Sequence, residues 1–352
     1  MLIPDVVRTP TISSIWRHDY SLHKTTYELD CGGSMGEATI RRAKALLRDV
    51  GLVHLRRTGN NSVVEMSRVA SRIMGATTVY TGGANPRDSL GSPGVNVYDV
   101  GVPGGVEVRY HHEMAYVSKS VTSLSLLCVS ALTNGGHTYF ADNTETTKHL
   151  LRTPLGGKLL SLGVIYVRGL TDKRHRTSSP MYNHWQDSFN VTTREDAEAV
   201  ARTRNLTFSW GTGNYFRTQH RAHAFEYFPH GDSDVLFTSV ADDGIWFDTW
   251  PGMSALPSMG NVDEATPNDR PLKMLWGDGS EFSRTELVHF ANVYSKFGTR
   301  IEWTPGDIVV FCNYRFAHGR PAYTADQGEE RILRVVLGPT LERVGQRTFR
   351  IE

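Results

Sequence analysis

Residues 107–132 read EVRYHHEMAYVSKSVTSLSLLCVSAL. Two runs rich in β-branched, aromatic and aliphatic residues follow each other closely, without apolar positions at helical spacing, so both read as strands. The same texture extends in both directions. Upstream, from residue 76, short runs such as VNVYDV are cut by GG, NP, GSPG and VPGG, which are turn signals. Downstream, strands are predicted at FEYF (225–228), DVLFTSV (234–240), DIVVFCNY (307–314) and RILRVVLG (331–338). Helical patterns are few: 36–50, 63–74, 194–203 and 284–297, the last entered through Ser283 with Glu286 three residues on, a capping-box arrangement.

Many short strands with a few peripheral helices predict a mainly β chain with a double-stranded β-helix, or jelly-roll, core rather than an alternating parallel α/β sheet. No G-x-G-x-x-G follows a strand and opens a helix, which removes support for a dinucleotide-binding fold. The predicted organisation is a single domain over 1–352. It has N-terminal helix and strand elements at 36–75, the core at 76–140 and 225–345, and an insertion or lid region at 141–224. Within the insertion, 170–192 mixes charged and aromatic residues as a lid would.

Thirty-eight basic residues against 37 acidic ones leave a net charge of +1, so nothing global pulls the chain toward nucleic acid or an anionic membrane; a small-molecule substrate is expected. No stretch approaches the ~20 apolar residues of a membrane span, and the N-terminus lacks the layout of a secretory signal, so a soluble, cytoplasmic protein is expected. Cys31, Cys128 and Cys312 are odd in number and far apart, unlike a disulfide framework or zinc ribbon.

The chemistry sits in the opening stretch. On a strand, alternation places residues i and i+2 on one face, so His111 and Glu113 can address one ion while His112 turns away. A third ligand must come from a distant strand, and NYRFAHGRP, at the end of the run 307–314, offers His318. Two imidazoles and one carboxylate on one side of an ion leave positions open for co-substrate and O2, as in non-haem Fe(II) oxygenases. Two rivals stand beside this reading. A zinc hydrolase would use His111, His112 and His137 with Glu113 as base, yet position 116 is Tyr where H-E-x-x-H needs histidine. A non-catalytic jelly-roll binding protein would keep the fold without the chemistry. The histidine-rich run with His220, His223 and His230 lacks carboxylate or thiol at ligand spacing and reads as structural.

Six motifs occur in one order: YTGGANPRDSL at 80–90, HHEMAY at 111–116, GGHT at 135–138, WGDGSEF at 276–282, WTPGDIVVFCN at 303–313 and AHGRPAY at 317–323. In this order the sequence resembles the taurine-dioxygenase and clavaminate-synthase branch of the 2-oxoglutarate oxygenases across residues 40–340. The resemblance implies Fe(II), 2-oxoglutarate and O2, with His111, Glu113 and His318 as iron ligands. It also implies that Arg331 grips the distal carboxylate of 2-oxoglutarate and that Thr138 supplies a hydroxyl to it. A guanidinium suits that role because it stays charged and presents a planar fork. Arg334 competes for it, but an offset of three puts the two arginines on opposite faces of one strand.

The sequence departs from the resembled pattern at Val335, where relatives often carry a second arginine, and at Glu113, where aspartate is commoner. A retained carboxylate at 113 speaks against halogenation and leaves hydroxylation, desaturation or ring closure, on a small, amino-acid-derived metabolite of specialised biosynthesis. That substrate is compatible with tethering to a carrier protein. Candidates for contacting it are Arg87, Arg109, Tyr116, Asn313, Arg320 and Arg334.

Overall fold

The computed structural model describes residues 22–60, 62–79, 96–100, 102–175, 183–239, 253, 255–262 and 264–347. In chain order the elements are β1 (Glu28–Asp30), α1 (Glu37–Asp49), β2 (Leu52–Arg56), α2 (Val63–Met74), β3 (Val97–Asp99), β4 (Val108–His111), β5 (Lys119–Val121), β6 (Ser123–Ser130) and β7 (Thr138–Asp142). Then come α3 (Asn143–Leu150), α4 (Pro154–Leu162), β8 (Val164–Leu170), α5 (Trp185–Phe189), α6 (Arg194–Thr203), β9 (Thr207–Trp210), β10 (Phe216–Ala222), β11 (Phe225–Phe228) and β12 (Ser233–Leu236). The chain continues through β13 (Leu272–Trp276), α7 (Arg284–Lys296), β14 (Gly298–Ile301), β15 (Ile308–Cys312), β16 (Phe316–Arg320), β17 (Ile332–Leu337) and β18 (Thr340–Glu342).

Two sheets make the jelly roll. The larger has the order β1-β2-β15-β6-β17-β3 and the smaller β14-β7-β16-β4. Strands far apart in sequence are neighbours in both, so the core closes only when the two ends of the chain meet. The central strands of the larger sheet are apolar on both faces because both faces are covered. Val309 and Phe311 of β15, Leu124 and Leu126 of β6, and Val335 and Leu337 of β17 point inward to Phe140 and Phe316 of the smaller sheet. Their alternates Ile308, Val310, Leu127 and Val336 pack outward under α1 and α2. In α2, Met66, Val69, Ala70 and Ile73 are buried, the spacing of one helical stripe.

A third sheet, β13-β8-β10-β9, stands beyond the smaller sheet. Tyr166 of β8 and Met274 and Trp276 of β13 face Tyr110, Tyr139, Phe290 and Tyr294. The 141–224 region, expected as an insertion or lid, therefore holds α3–α6 and three strands of this sheet, of which β8 pairs with β13, β10 with β8, and β9 forms the edge. Ser283 and Glu286 form the expected capping box at α7. Two expectations differ in detail. The strand expected through HHEMAY ends at His111, and β16, which carries His318, is a separate strand returning from β15.

Candidate active site

His111 and His318 are cross-strand partners on β4 and β16, with ring centroids 4.2 Å apart. Glu113 completes the group: one ligand atom from each of the three lies within 4.8 Å of the others, the one such metal-competent cluster among the described residues. Strand alternation is not what brings Glu113 there. It sits in a turn after β4 in which Met114 adopts φ 60°, a left-handed conformation that an unbranched residue tolerates at some cost.

Asn313, just beyond β15, holds that turn. Its Oδ1 accepts the Glu113 N–H at 2.9 Å, while its Nδ2 donates to the carbonyls of Glu113 and Val121, each at 2.9 Å. His111 Nδ1 lies 2.8 Å from the Arg109 carbonyl, so Nδ1 is the donor and Nε2 carries the lone pair for an ion. His112 is fully buried, stacks on Phe237 at 4.9 Å and pairs through Nδ1 with the Thr238 carbonyl. Burial pushes its imidazole down to about 3. The zinc-hydrolase set that required His112 is thereby not assembled.

Beside the triad, Thr138 and Arg331 meet. Arg331 Nε donates to the Gly136 carbonyl at 2.5 Å and Nη2 to Thr138 Oγ1 at 3.1 Å, while Trp303 Nε1 donates to the same Oγ1 at 3.0 Å. With both lone pairs engaged, the Thr138 hydroxyl has its proton left to give. Gly136 is required here: its φ is 64°, and a Cβ would come within 2.9 Å of Arg331 Cδ. Gly319, next to His318, is equally constrained, since a Cβ would lie 2.4 Å from the Tyr139 ring.

A cavity of about 140 Å3 opens onto these groups, lined by His111, Glu113, His318, Thr138, Arg331, Arg109, Tyr116 and Arg320 among others. Its walls are mainly apolar: Val100, Val102, Leu124, Leu126, Leu272, Leu333 and Val335. A triad that leaves ion positions open, beside a cationic fork and a hydroxyl donor, fits an iron ion with a chelating dicarboxylate.

The substrate candidates divide. Arg109 and Tyr116 line the cavity, and Arg109 lies 3.8 Å from Glu107. Arg320 also lines it, but its terminal nitrogens make five hydrogen bonds to the carbonyls of Val102, Pro103, Gly104, Val106 and Pro321, so it clamps a loop. Arg334 pairs with Asp99 at 2.9 Å and, like Asn313, is not among the lining residues. Its strand offset from Arg331 turns it to the other side, whereas Asn313 is engaged by main chain. Arg87, the motif at 80–90 and residues 176–182 of the expected lid lie outside the described residues. The base of that segment is knotted by Asp172, which accepts from Arg174, Gln186 and Asn214. Tyr166, Arg168 and Ser239 line the cavity and were not expected. A single arginine in the apolar run VIYVRGL was the available signal.

The family model for taurine catabolism dioxygenases, the TauD, TfdA family, matches residues 26–337. The chain belongs to this family. It is an Fe(II)- and 2-oxoglutarate-dependent dioxygenase, using O2 as the family does. A taurine dioxygenase from Burkholderia xenovorans is similar in structure at 14% identity and a TM-score of 0.50, over 93% of this chain and 90% of that one. The PvcB protein of Pseudomonas aeruginosa gives 16% and 0.48, over 90% and 88%. AAD-2, solved with Mn(II) and N-oxalylglycine, gives 12% and 0.46, over 93% and 99%. No curated protein matches significantly in sequence. At such identities the taurine dioxygenase likeness speaks for the jelly-roll fold alone.

Proposed function

We propose that this TauD/TfdA dioxygenase oxidises an unactivated C–H bond of a small metabolite, with His111, Glu113 and His318 holding iron and Arg331 and Thr138 holding the distal carboxylate of 2-oxoglutarate. The observation that carries the reading is the convergence of all five side chains on one cavity, three of them close enough to share an ion. When bound, the iron and its co-substrate supply the oxidising power that no side chain possesses. The chain's own residues bind and orient. Asn313 fixes the Glu113 carboxylate through the main chain, and the Arg109 carbonyl fixes the His111 tautomer. Arg331 and Thr138 give the dicarboxylate one orientation. The apolar wall of Leu124, Leu126, Leu333 and Val335 limits water around the reacting carbon.

We read the outcome as hydroxylation, desaturation or ring closure of an amino-acid-derived compound, performed in the cytoplasm in a biosynthetic setting. Tethering of that compound to a carrier protein is compatible with it. The test is O2 uptake and succinate release with substrate candidates under Fe(II), then under Zn(II). Turnover dependent on both Fe(II) and 2-oxoglutarate supports the reading, and equal turnover with Zn(II) contradicts it, because zinc cannot change oxidation state.

A further inference from the structure

The turn that carries Glu113 leads from β4 into β5. Its internal bonds are long: the Ala115 N–H reaches the His112 carbonyl at 3.3 Å and the Val117 N–H the Met114 carbonyl at 3.4 Å. Met114, between them, is left-handed at φ 60°, and a non-glycine residue keeps that conformation only where its surroundings impose it. Asn313 imposes it from one side, through the main chain of Glu113.

The other side is held by residues 340–345. Among the described residues β5 has one sheet partner, β18, with Thr340 opposite Val121, Leu341 opposite Ser120 and Glu342 opposite Lys119. The pairing runs on past the strand, where the Arg343 N–H donates to the Ser118 carbonyl at 2.9 Å. The Arg343 guanidinium then engages three groups. Nη1 donates to the Ala115 carbonyl, Nη2 to the His223 carbonyl at 3.0 Å, and Nε to Glu226 Oε1 at 2.8 Å. Glu226, on β11, gives its other oxygen to the N–H groups of Val344 and Gly345, at 3.1 and 2.7 Å. The two side chains are 5% and 3% exposed, so water hardly competes for these bonds. A planar fork engaged at all three nitrogens has one orientation. Its Cζ lies 5.2 Å from the centre of the Phe237 ring, which stacks on His112 at 4.9 Å. Both neighbours of the left-handed residue are thus tied, Glu113 to Asn313 and Ala115 to Arg343.

We propose that Arg343, oriented by Glu226, is a positioning residue of the metal site: by holding the Ala115 carbonyl it keeps the Glu113 carboxylate where an ion can share it with His111 and His318. Residues 340–345 then support the site although none of them lines the cavity. This inference rests on the metal-site reading above.

Two variants separate the contact to the turn from the ion pair. Arg343→Lys keeps a charge for Glu226 but offers one nitrogen in place of the fork, so the Ala115 carbonyl loses its donor. Glu226→Gln ends the ion pair yet keeps an oxygen for Arg343 Nε, which leaves the guanidinium on Ala115. Fe(II) affinity is measured under argon by competition with a chelator of known affinity, with the urea midpoint of each protein recorded beside it. Arg343→Lys is expected to bind Fe(II) about tenfold or more weakly than the parent, while Glu226→Gln, whatever its loss in urea midpoint, stays within about threefold. The charge-transfer band formed with 2-oxoglutarate should shift in Arg343→Lys and not in Glu226→Gln. A merely structural pair would weaken iron binding in both variants in step with their stability. Should Arg343→Lys fail to fold, Glu226→Gln and the double variant Glu226→Gln/Arg343→Gln, which differ only at 343, are compared in the same way. Parent-like affinity without Arg343, or equal losses in the two compared variants, would overturn the proposal and leave the metal site standing. A parent that binds no Fe(II) overturns the metal-site reading, and this inference with it.

Discussion

Asn313 shows how a residue outside the candidate ligand set can decide where one of its members lies. Three hydrogen bonds tie its amide to the main chain of Glu113 and Val121, and the turn they hold contains a left-handed Met114. Asn313→Ala is expected to lower Fe(II) affinity about 10–100-fold while leaving the far-ultraviolet spectrum unchanged, measured by competition with a chelator of known affinity. Unchanged affinity would assign Asn313 to folding alone. Arg331→Lys keeps the charge but loses the fork, so the KM for 2-oxoglutarate should rise about tenfold or more with a smaller change in kcat. The metal candidates were legible in the sequence because few residue types ligate iron and the motif around them is short. The role of Asn313 was not legible, because its partner is a backbone group 200 residues away and no side-chain pattern announces such a pair.

At the scale of elements, apolar runs bounded by turn signals identified strands of the larger sheet whose two faces both meet apolar cover, as in β6, β15 and β17. That reading missed β16, whose five residues FAHGR include a histidine of the candidate metal cluster, a glycine in close approach and an arginine that clamps a loop. The strand expected through Glu113 was too long for a related reason: the carboxylate reaches its place through a turn stabilised from outside. β8 was hidden by the apolar, glycine-containing run PLGGKLLSL of α4, which leads into it without a polar break. The α7 capping box was read from Ser283 and Glu286 alone, since that signal is local. Ser283→Ala should cost about 1 kcal/mol in chemical denaturation, with little effect on turnover, because α7 packs behind the smaller sheet and not in the cavity.

For the whole molecule, the architecture explains where the site lies. The candidate metal cluster draws on β4, the turn after it and β16 of the smaller sheet, Thr138 and Arg331, the pair proposed to hold the dicarboxylate, stand where β7 and β17 begin, and β8 adds Tyr166 and Arg168 to the cavity lining. Among the described residues no helix is long and apolar enough to cross a membrane. The same burial that closes the site sets a pH limit on folding. His220, on β10 and 6% exposed, is pushed down to about 4 by burial and then by the Arg343 charge. The unfolded chain binds its proton from near pH 6.5 and the folded chain only near pH 4, so stability is complete above 6.5 and is lost as pH falls through that window. His220→Gln should remove this part of the acid sensitivity, up to about 3 kcal/mol, seen as a flatter dependence of Tm on pH between 6.5 and 4.

The most direct test of the central claim is an anaerobic titration of the metal-free protein with Fe(II) and then 2-oxoglutarate, followed by visible absorption, with His318→Ala alongside. A metal-to-ligand charge-transfer band that grows to one equivalent in the parent and is absent in His318→Ala is the result expected from a triad that leaves two positions for a chelating keto acid. A folded parent with no band, or an undiminished band in His318→Ala, would contradict the assignment of His111, Glu113 and His318 as the iron site.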